Sequence, residues 1–262
     1  MYDEMKDDPS LNGEMLRKFL KRPGRYPLLP RLTPPQQVAL LCRVLYDEGY
    51  NDHIAGHISF RQPDGSFYAN PWELRWDEVT AADILHLDAK GNIIEGEWNI
   101  TPAINLHVGI YAARPDVNVV IHNHPEWGSV WAGVHRVPPA YDQTAAMVAP
   151  APALYSDYQG TINKEAAGAG DPIAAFGDNK WAILANHGVL LAARDIRQAH
   201  LRALTLEWRC RLAWRVEALG GGVPLTPEAE QSVGGLTDQN GFPFLWEAMA
   251  RKVIQRDGAV LG

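Results

Sequence analysis

Three short apolar runs, each touching a histidine, constrain this chain more than any other feature. In VNVVIHNH, Val119, Val120 and Ile121 lead without a polar break into His122, Asn123 and His124. In WAILANHGVLLAA, one run stops at Asn186-His187-Gly188 and another starts directly after it. Runs this short and this rich in branched residues read as buried strands, and the Asn-His-Gly break reads as a tight turn. Strands buried on both faces call for helices on both sides of the sheet. Because side chains alternate along a strand, His122 and His124 leave one face and Asn123 the other. His187 projects from a sheet end as they do, so three imidazoles from two strand ends can converge on one ion. Three histidines with an open position are the donor set of a catalytic divalent-metal site.

The flanking pattern supplies the helices. TPPQQVALLCRVLYDEGY has Thr33 as cap, prolines in its first turn, Val38, Leu41, Val44 and Leu45 at helical spacing, and Gly49 as a stop. From Gly56 to Gly96 the pattern changes to short strands, HISFR, FYANP, ILHLD and IIEGE, with Asp77 and Glu78 reading as a helix-start signal between them. TPAINLHVGIYAARPD returns to helical spacing and ends at Arg114-Pro115, feeding the H-x-H strand. Asp195 opens a long helix that closes at Gly220, and a last helix is expected near FPFLWEAMARKVIQRD. The Pro- and Ala-rich stretch that carries Tyr155 suggests no regular element and is too irregular to form a wall unaided. The expectation is a single α/β domain over residues 33–262, with a largely antiparallel sheet, a C-terminal helical tail, and an N-terminal arm over residues 1–32.

Composition removes several function classes. The formal charge is −7 and no Lys/Arg stripe occurs, so a nucleic-acid partner is not expected. No apolar stretch is long enough to span a membrane, and the acidic start lacks the apolar segment of an export signal. Cys42 and Cys210 lie in helical apolar patterns and read as core residues, as in a cytoplasmic protein. No Gly-rich nucleotide fingerprint is present, so no organic cofactor is expected beside the ion, which is Zn, Mn, Fe, Co or Ni.

Taken in order, GHISFR, ANPWELRWDEVTAADILHLD, AARPDVNVVIHNHPEWGSVWA, YSDYQG and ANHGVLL followed by a long helix make the chain resemble the class II aldolase and adducin-head superfamily, in its bacterial adducin-like branch. The resemblance implies a three-layer α/β/α sandwich with a central antiparallel sheet and a homotetramer with sites between subunits. It also implies a divalent metal on His122, His124 and His187. The departures concern substrate. Sugar-phosphate members carry Ser-Ser-Glu where this chain has Thr101-Pro102-Ala103, so their metal-ligating, proton-moving glutamate is missing. Their phosphate cradle falls at Trp72-Glu73 and their phosphate-side asparagine at His57. An indole and a carboxylate are poor company for a phosphate dianion, which points to a substrate without phosphate.

Roles follow from these matches. Tyr155 corresponds to the aldolases' general-acid tyrosine, with Tyr158 and Tyr141 as substitutes. Glu126 stands in for the missing carboxylate, as base or as partner to a ligand. His57 binds substrate, acts as base or adds a fourth ligand, whereas His107 reads as structural. Trp72, Glu73 and Trp127 are the candidate substrate contacts, and Tyr155 or the helix around Trp246 would complete a neighbour's site. The expected activity is a metal-dependent carbon-carbon lyase, aldolase or decarboxylase, acting on a small non-phosphorylated carbonyl acid with an aromatic or apolar part. An Fe(II)-dependent oxygenase of an aromatic 2-oxo acid and a non-catalytic adducin-like assembly module are the alternatives.

Overall fold

The computed structural model describes residues 28–156, 172–242 and 244–262, so Tyr158 and most of the expected N-terminal arm lie outside the described residues. Eight strands among them form one sheet: β1 (His57–Arg61), β2 (Phe67–Ala69), β3 (Leu85–Leu87), β4 (Ile93–Glu95), β5 (Val119–Asn123), β6 (Ala153–Tyr155), β7 (Trp181–Leu184) and β8 (Gly188–Ala193). Their order is β4-β3-β2-β1-β5-β8-β7-β6. The sheet is mixed. β6 and β7 run parallel, and every other neighbouring pair is antiparallel.

Strand alternation divides the core into two apolar layers. Ile58, Val119, Ile121, Val189 and Leu191 face helices α1 (Pro34–Asp47), α5 (Ile196–Ala218) and α7 (Leu245–Arg256). Val120, Leu190 and Ala192 turn the other way, onto α2 (Ile104–Ala113) and α4 (Pro172–Phe176), where Ile104, Leu106, Ile110 and Phe176 meet them. Each such side chain, fully buried, contributes about 1.5–3 kcal/mol. A sheet covered in this way has a core that owes nothing to an ion. His57, Ser59 and His122 occupy the same strand parity as Val120, which puts them on the α2 side.

The expected helix caps are present. Thr33 forms a capping box with Gln36, and the Asp195 carboxylate accepts the Gln198 amide at 2.8 Å. The α/β reading and most of its elements match the sequence reading, but four expectations need correction. Asp77 and Glu78 start no helix, because the Arg75 guanidinium binds Asp77 at 2.8 Å and the Glu78 carboxylate accepts the Arg75 amide, which closes a turn. The segment with Tyr155 is not wholly irregular: it adds a strand to β7, in register from Ala153 opposite Ala182 to Tyr155 opposite Leu184. Trp246 itself is buried in its own core against His200, which leaves only the exposed side of its helix to face a neighbour. Helix α6 (Pro227–Asn240) was not expected, because Gly234-Gly235 interrupts its pattern. A Cβ on Gly234 would sit 2.5 Å from that of Ala149, so close packing demands the glycine there. Asp238 ties α6 to the body through a buried two-point bond to Arg202 and an ion pair with Lys180 at 2.8 Å.

Candidate metal centre

β5 delivers His122 at its penultimate position and His124 just past its end; the hairpin turn between β7 and β8 delivers His187. That turn is tight: Leu184 pairs with Gly188, and Asn186 takes a left-handed backbone (φ 55°) that asparagine tolerates. Gly188 is required by close approach. A Cβ there would lie 2.5 Å from the Asn123 carbonyl oxygen and 2.6 Å from the His124 ring. The two strand ends are thereby pressed together, and the three ligating nitrogens lie within 4.8 Å of one another. Ring centroids are 4.7 Å apart for His122 and His187, 4.8 Å for His124 and His187, and 5.0 Å for His122 and His124. No carboxylate joins this group among the described residues.

The hydrogen bonds set the chemistry of the cluster. His122 Nδ1 is 2.9 Å from the Val189 carbonyl oxygen, which can only accept, so Nδ1 carries the proton and Nε2 the lone pair. His124 Nδ1 donates to Asp52 at 2.8 Å, leaving its Nε2 bare. That Nε2 is buried with no partner among the described residues. Asp52 must be ionised to act in this way. Partial burial pushes its carboxyl up, but the bonds from His53 and His124 outweigh this and hold it below the ordinary range. Burial, followed by the neighbouring imidazoles, drives His122 and His57 far below the usual histidine range, and burial with His124 lowers His187 to about 4. Converging ring nitrogens, one of them buried without a partner among the described residues, are what a divalent ion requires. The residues fit the group.

His57 pairs directly with His122 across β1 and β5, and their ring centroids are 4.9 Å apart. Its Nδ1 lies 2.6 Å from Nε2 of His107, which is fully buried on α2 and is bonded in turn to Ser59. The structure therefore brings His57 to the cluster. The other candidates are placed around it. Tyr155 ends β6, and its carbonyl accepts the Ala185 amide at 2.8 Å, two residues before His187; its side chain packs on the α2-side core. Trp72 is 46% exposed. Glu73 is engaged by the backbone amide of Asn99 at 3.1 Å and by its side chain, which closes the loop beside Trp72. Ala103 precedes α2 as its N-cap and brings no carboxylate.

Glu126 and Trp127 begin helix α3 (Glu126–Gly133) and line a groove with Glu48, Glu207, Trp208 and Arg211; none of the three clustered imidazoles lines it. The α3 N-terminus lacks a side-chain cap of its own, because Pro125 holds the cap position. Glu207 from α5 supplies one, accepting the Trp127 and Gly128 amides at 2.8 and 2.9 Å. Sequence reasoning missed Asp52, the Ser59–His107 pair and Glu207. Each acts on a partner far away in the chain, and no spacing rule connects them.

Comparison with known proteins identifies the family. The class II aldolase and adducin N-terminal domain model matches residues 36–214. A 3,4-dihydroxyphthalate decarboxylase of Arthrobacter keyseri is 28% identical over 209 residues, covering 75% of this chain and 84% of the relative. A 4-hydroxy-3-prenylphenylpyruvate oxygenase/4-hydroxy-3-prenylbenzoate synthase of Streptomyces roseochromogenus subsp. oscitans is 27% identical over 187 residues, 70% of this chain and 67% of its own. Among solved structures, L-fuculose 1-phosphate aldolase from Glaciozyma antarctica PI12 superposes with a TM-score of 0.74 at 21% identity, over 90% of this chain and 98% of that one, a likeness of fold. The chain belongs to the class II aldolase and adducin N-terminal domain family.

Proposed function

We propose that this protein is a metal-dependent carbon-carbon lyase, a decarboxylase or aldolase, acting on a small non-phosphorylated carbonyl acid with an aromatic part. The observation that carries the reading is the convergence of the rings of His122, His124 and His187, with the orphaned Nε2 of His124 buried among them. When bound, a divalent ion supplies Lewis-acid stabilisation of the negative charge that develops on substrate oxygens as a carbon-carbon bond breaks. His122 and His124 would hold it in tautomers fixed by Val189 and Asp52, with His187 as third donor. Tyr155, reaching the site of an adjacent subunit, is assigned as the proton donor to the carbon left behind; Glu126 lines the groove away from the cluster and is assigned no step. Trp72 offers an aromatic face to the substrate, whereas Trp127 lines the groove away from the cluster. Glu73 holds the adjoining loop through Asn99 and puts a negative charge where a phosphate would be repelled. The decarboxylase named among the relatives supports an aromatic acid.

A homotetramer with shared sites completes the proposal, supported by exposed apolar side chains such as Trp72, Trp214 and Val134 on the isolated chain. The test is a panel assay. Protein reconstituted with Zn, Mn, Fe, Co or Ni is offered hydroxylated aromatic acids, 2-oxo acids and sugar phosphates, while CO2 and aldehyde release are followed. Release from an acid is expected; turnover of sugar phosphates alone overturns the reading. A second reading, an Fe(II) oxygenase, is supported by the three-imidazole donor set among the described residues, since imidazole suits iron, and by the oxygenase named among the relatives. Activity unchanged under strict anaerobiosis removes it.

A further inference from the structure

A buried chain of polar groups runs behind the metal cluster and ends at His57. Tyr111 and His107 lie one turn apart on α2, and Ser59 and His57 lie on the α2 side of β1. The Tyr111 hydroxyl is 3.2 Å from the Asn118 carbonyl oxygen and 2.6 Å from Ser59 Oγ. Ser59 Oγ is 2.5 Å from His107 Nδ1, and His107 Nε2 is 2.6 Å from His57 Nδ1. Only 4% of the His57 surface is exposed, and Ser59 and His107 are fully buried. Burial shields the Ser59–His107 bond from water.

The protons can be arranged in two directions along this chain. If Tyr111 donates to Ser59, then Ser59 donates to His107 and His107 to His57. The Tyr111 contact to Asn118 is then lost, and His57 carries its proton on Nε2. In the opposite direction Tyr111 donates to the Asn118 carbonyl, Ser59 to Tyr111, His107 to Ser59, and His57 to His107. All four bonds are made. The second arrangement makes one bond more, and a hydrogen bond contributes about 0.5–1.5 kcal/mol net, so it wins. It leaves a lone pair, not a proton, on His57 Nε2, 4.9 Å ring to ring from His122.

We propose that Asn118, Tyr111, Ser59 and His107 lock His57 as its Nδ1–H tautomer, making Nε2 a fixed acceptor beside the three-imidazole cluster. That acceptor selects a substrate with a hydroxyl next to its metal-binding oxygens. The selection rests on the metal-site reading; the tautomer does not. Ser59, His107 and Tyr111 are positioning residues, and His57 determines specificity. An acceptor-only nitrogen bonds an adjacent O–H and gives nothing to an analogue that lacks one.

The first test uses the native chain without metal. Long-range proton–nitrogen correlation spectra of 15N-labelled protein, with the His57 signals identified through His57→Asn, distinguish the two tautomers. His57 and His107 are both expected as Nδ1–H. A proton on His57 Nε2 overturns the lock, whatever metal the protein binds; His57→Gln serves as the second assigning variant should His57→Asn lose the native signals of the other histidines. Ser59→Ala should convert His57 to a mixture; an unchanged single tautomer there contradicts the role of Ser59. The second test uses zinc-loaded protein after zinc content is measured, since a native chain without zinc would defeat the metal reading instead. Salicylate and benzoate affinities are compared in native, Ser59→Ala and His57→Phe chains. The advantage of salicylate should fall about tenfold in His57→Phe, the worth of one hydrogen bond, and partly in Ser59→Ala. An equal advantage in all three overturns the selection.

Discussion

Asp52 reaches His124 from a loop 72 positions earlier in the chain, and its carboxylate fixes which nitrogen of that ring is free to bind an ion. A carboxylate behind a ligating histidine orients the ring and raises its basicity, and losing such a partner lowers metal affinity about 10–100-fold. Asp52→Ala is therefore expected to weaken zinc binding by that factor in competition with a chromophoric chelator, while the fold persists; unchanged affinity contradicts the assignment. The residue scale also shows what a sequence can disclose. His122, His124 and His187 were legible because strand parity and a tight turn fix where those side chains go. The carboxylate behind His124 was not, because a lone aspartate in a loop has no periodicity to betray it. His107 read as structural for the same reason, since its bonds to Ser59 and His57 exist only after α2 lies on the sheet.

Helix α3 shows how one element depends on another. Its first amides are held by Glu207 of α5, and that bond stabilises the turn directly after His124. Burial raises the Glu207 carboxyl to about 7; the amides of Trp127 and Gly128 oppose the rise, Glu126 adds to it, and Arg211 opposes it. A group whose folded value lies above its unfolded one favours folding at low pH. Its contribution is complete below about 4.5 and disappears as pH rises through about 7. Up to about 3 kcal/mol of stability should thus be lost between those limits. Glu207→Gln, which cannot ionise, should remove this slope in urea unfolding measured across the same pH range. An unchanged slope would place the titration elsewhere. At this scale α1, α2, α5 and the central strands were legible from caps and apolar runs. Helix α6 and strand β6 were not, because the glycine pair of α6 and the prolines near β6 answer to packing and pairing made across the fold.

The whole molecule separates stability from function. Its two apolar layers lie along the sheet faces, whereas the histidines sit at strand ends where the β5 and β8 register brings them together. Removing the ion should therefore leave the fold in place. The proposed tetramer predicts complementation: a His187→Ala chain mixed with a Tyr155→Phe chain should regain part of the activity, because one intact site can be assembled from two subunits. No recovery, despite demonstrated subunit exchange, would confine Tyr155 to its own subunit's site or remove it from the chemistry. The central claim is that His122, His124 and His187 together hold one divalent ion, and metal content per chain tests it most directly. Elemental analysis after reconstitution and removal of excess ion should give one ion per native chain and almost none in folded His187→Ala. A native chain that retains no ion, or a His187→Ala chain that retains a full one, would contradict the account.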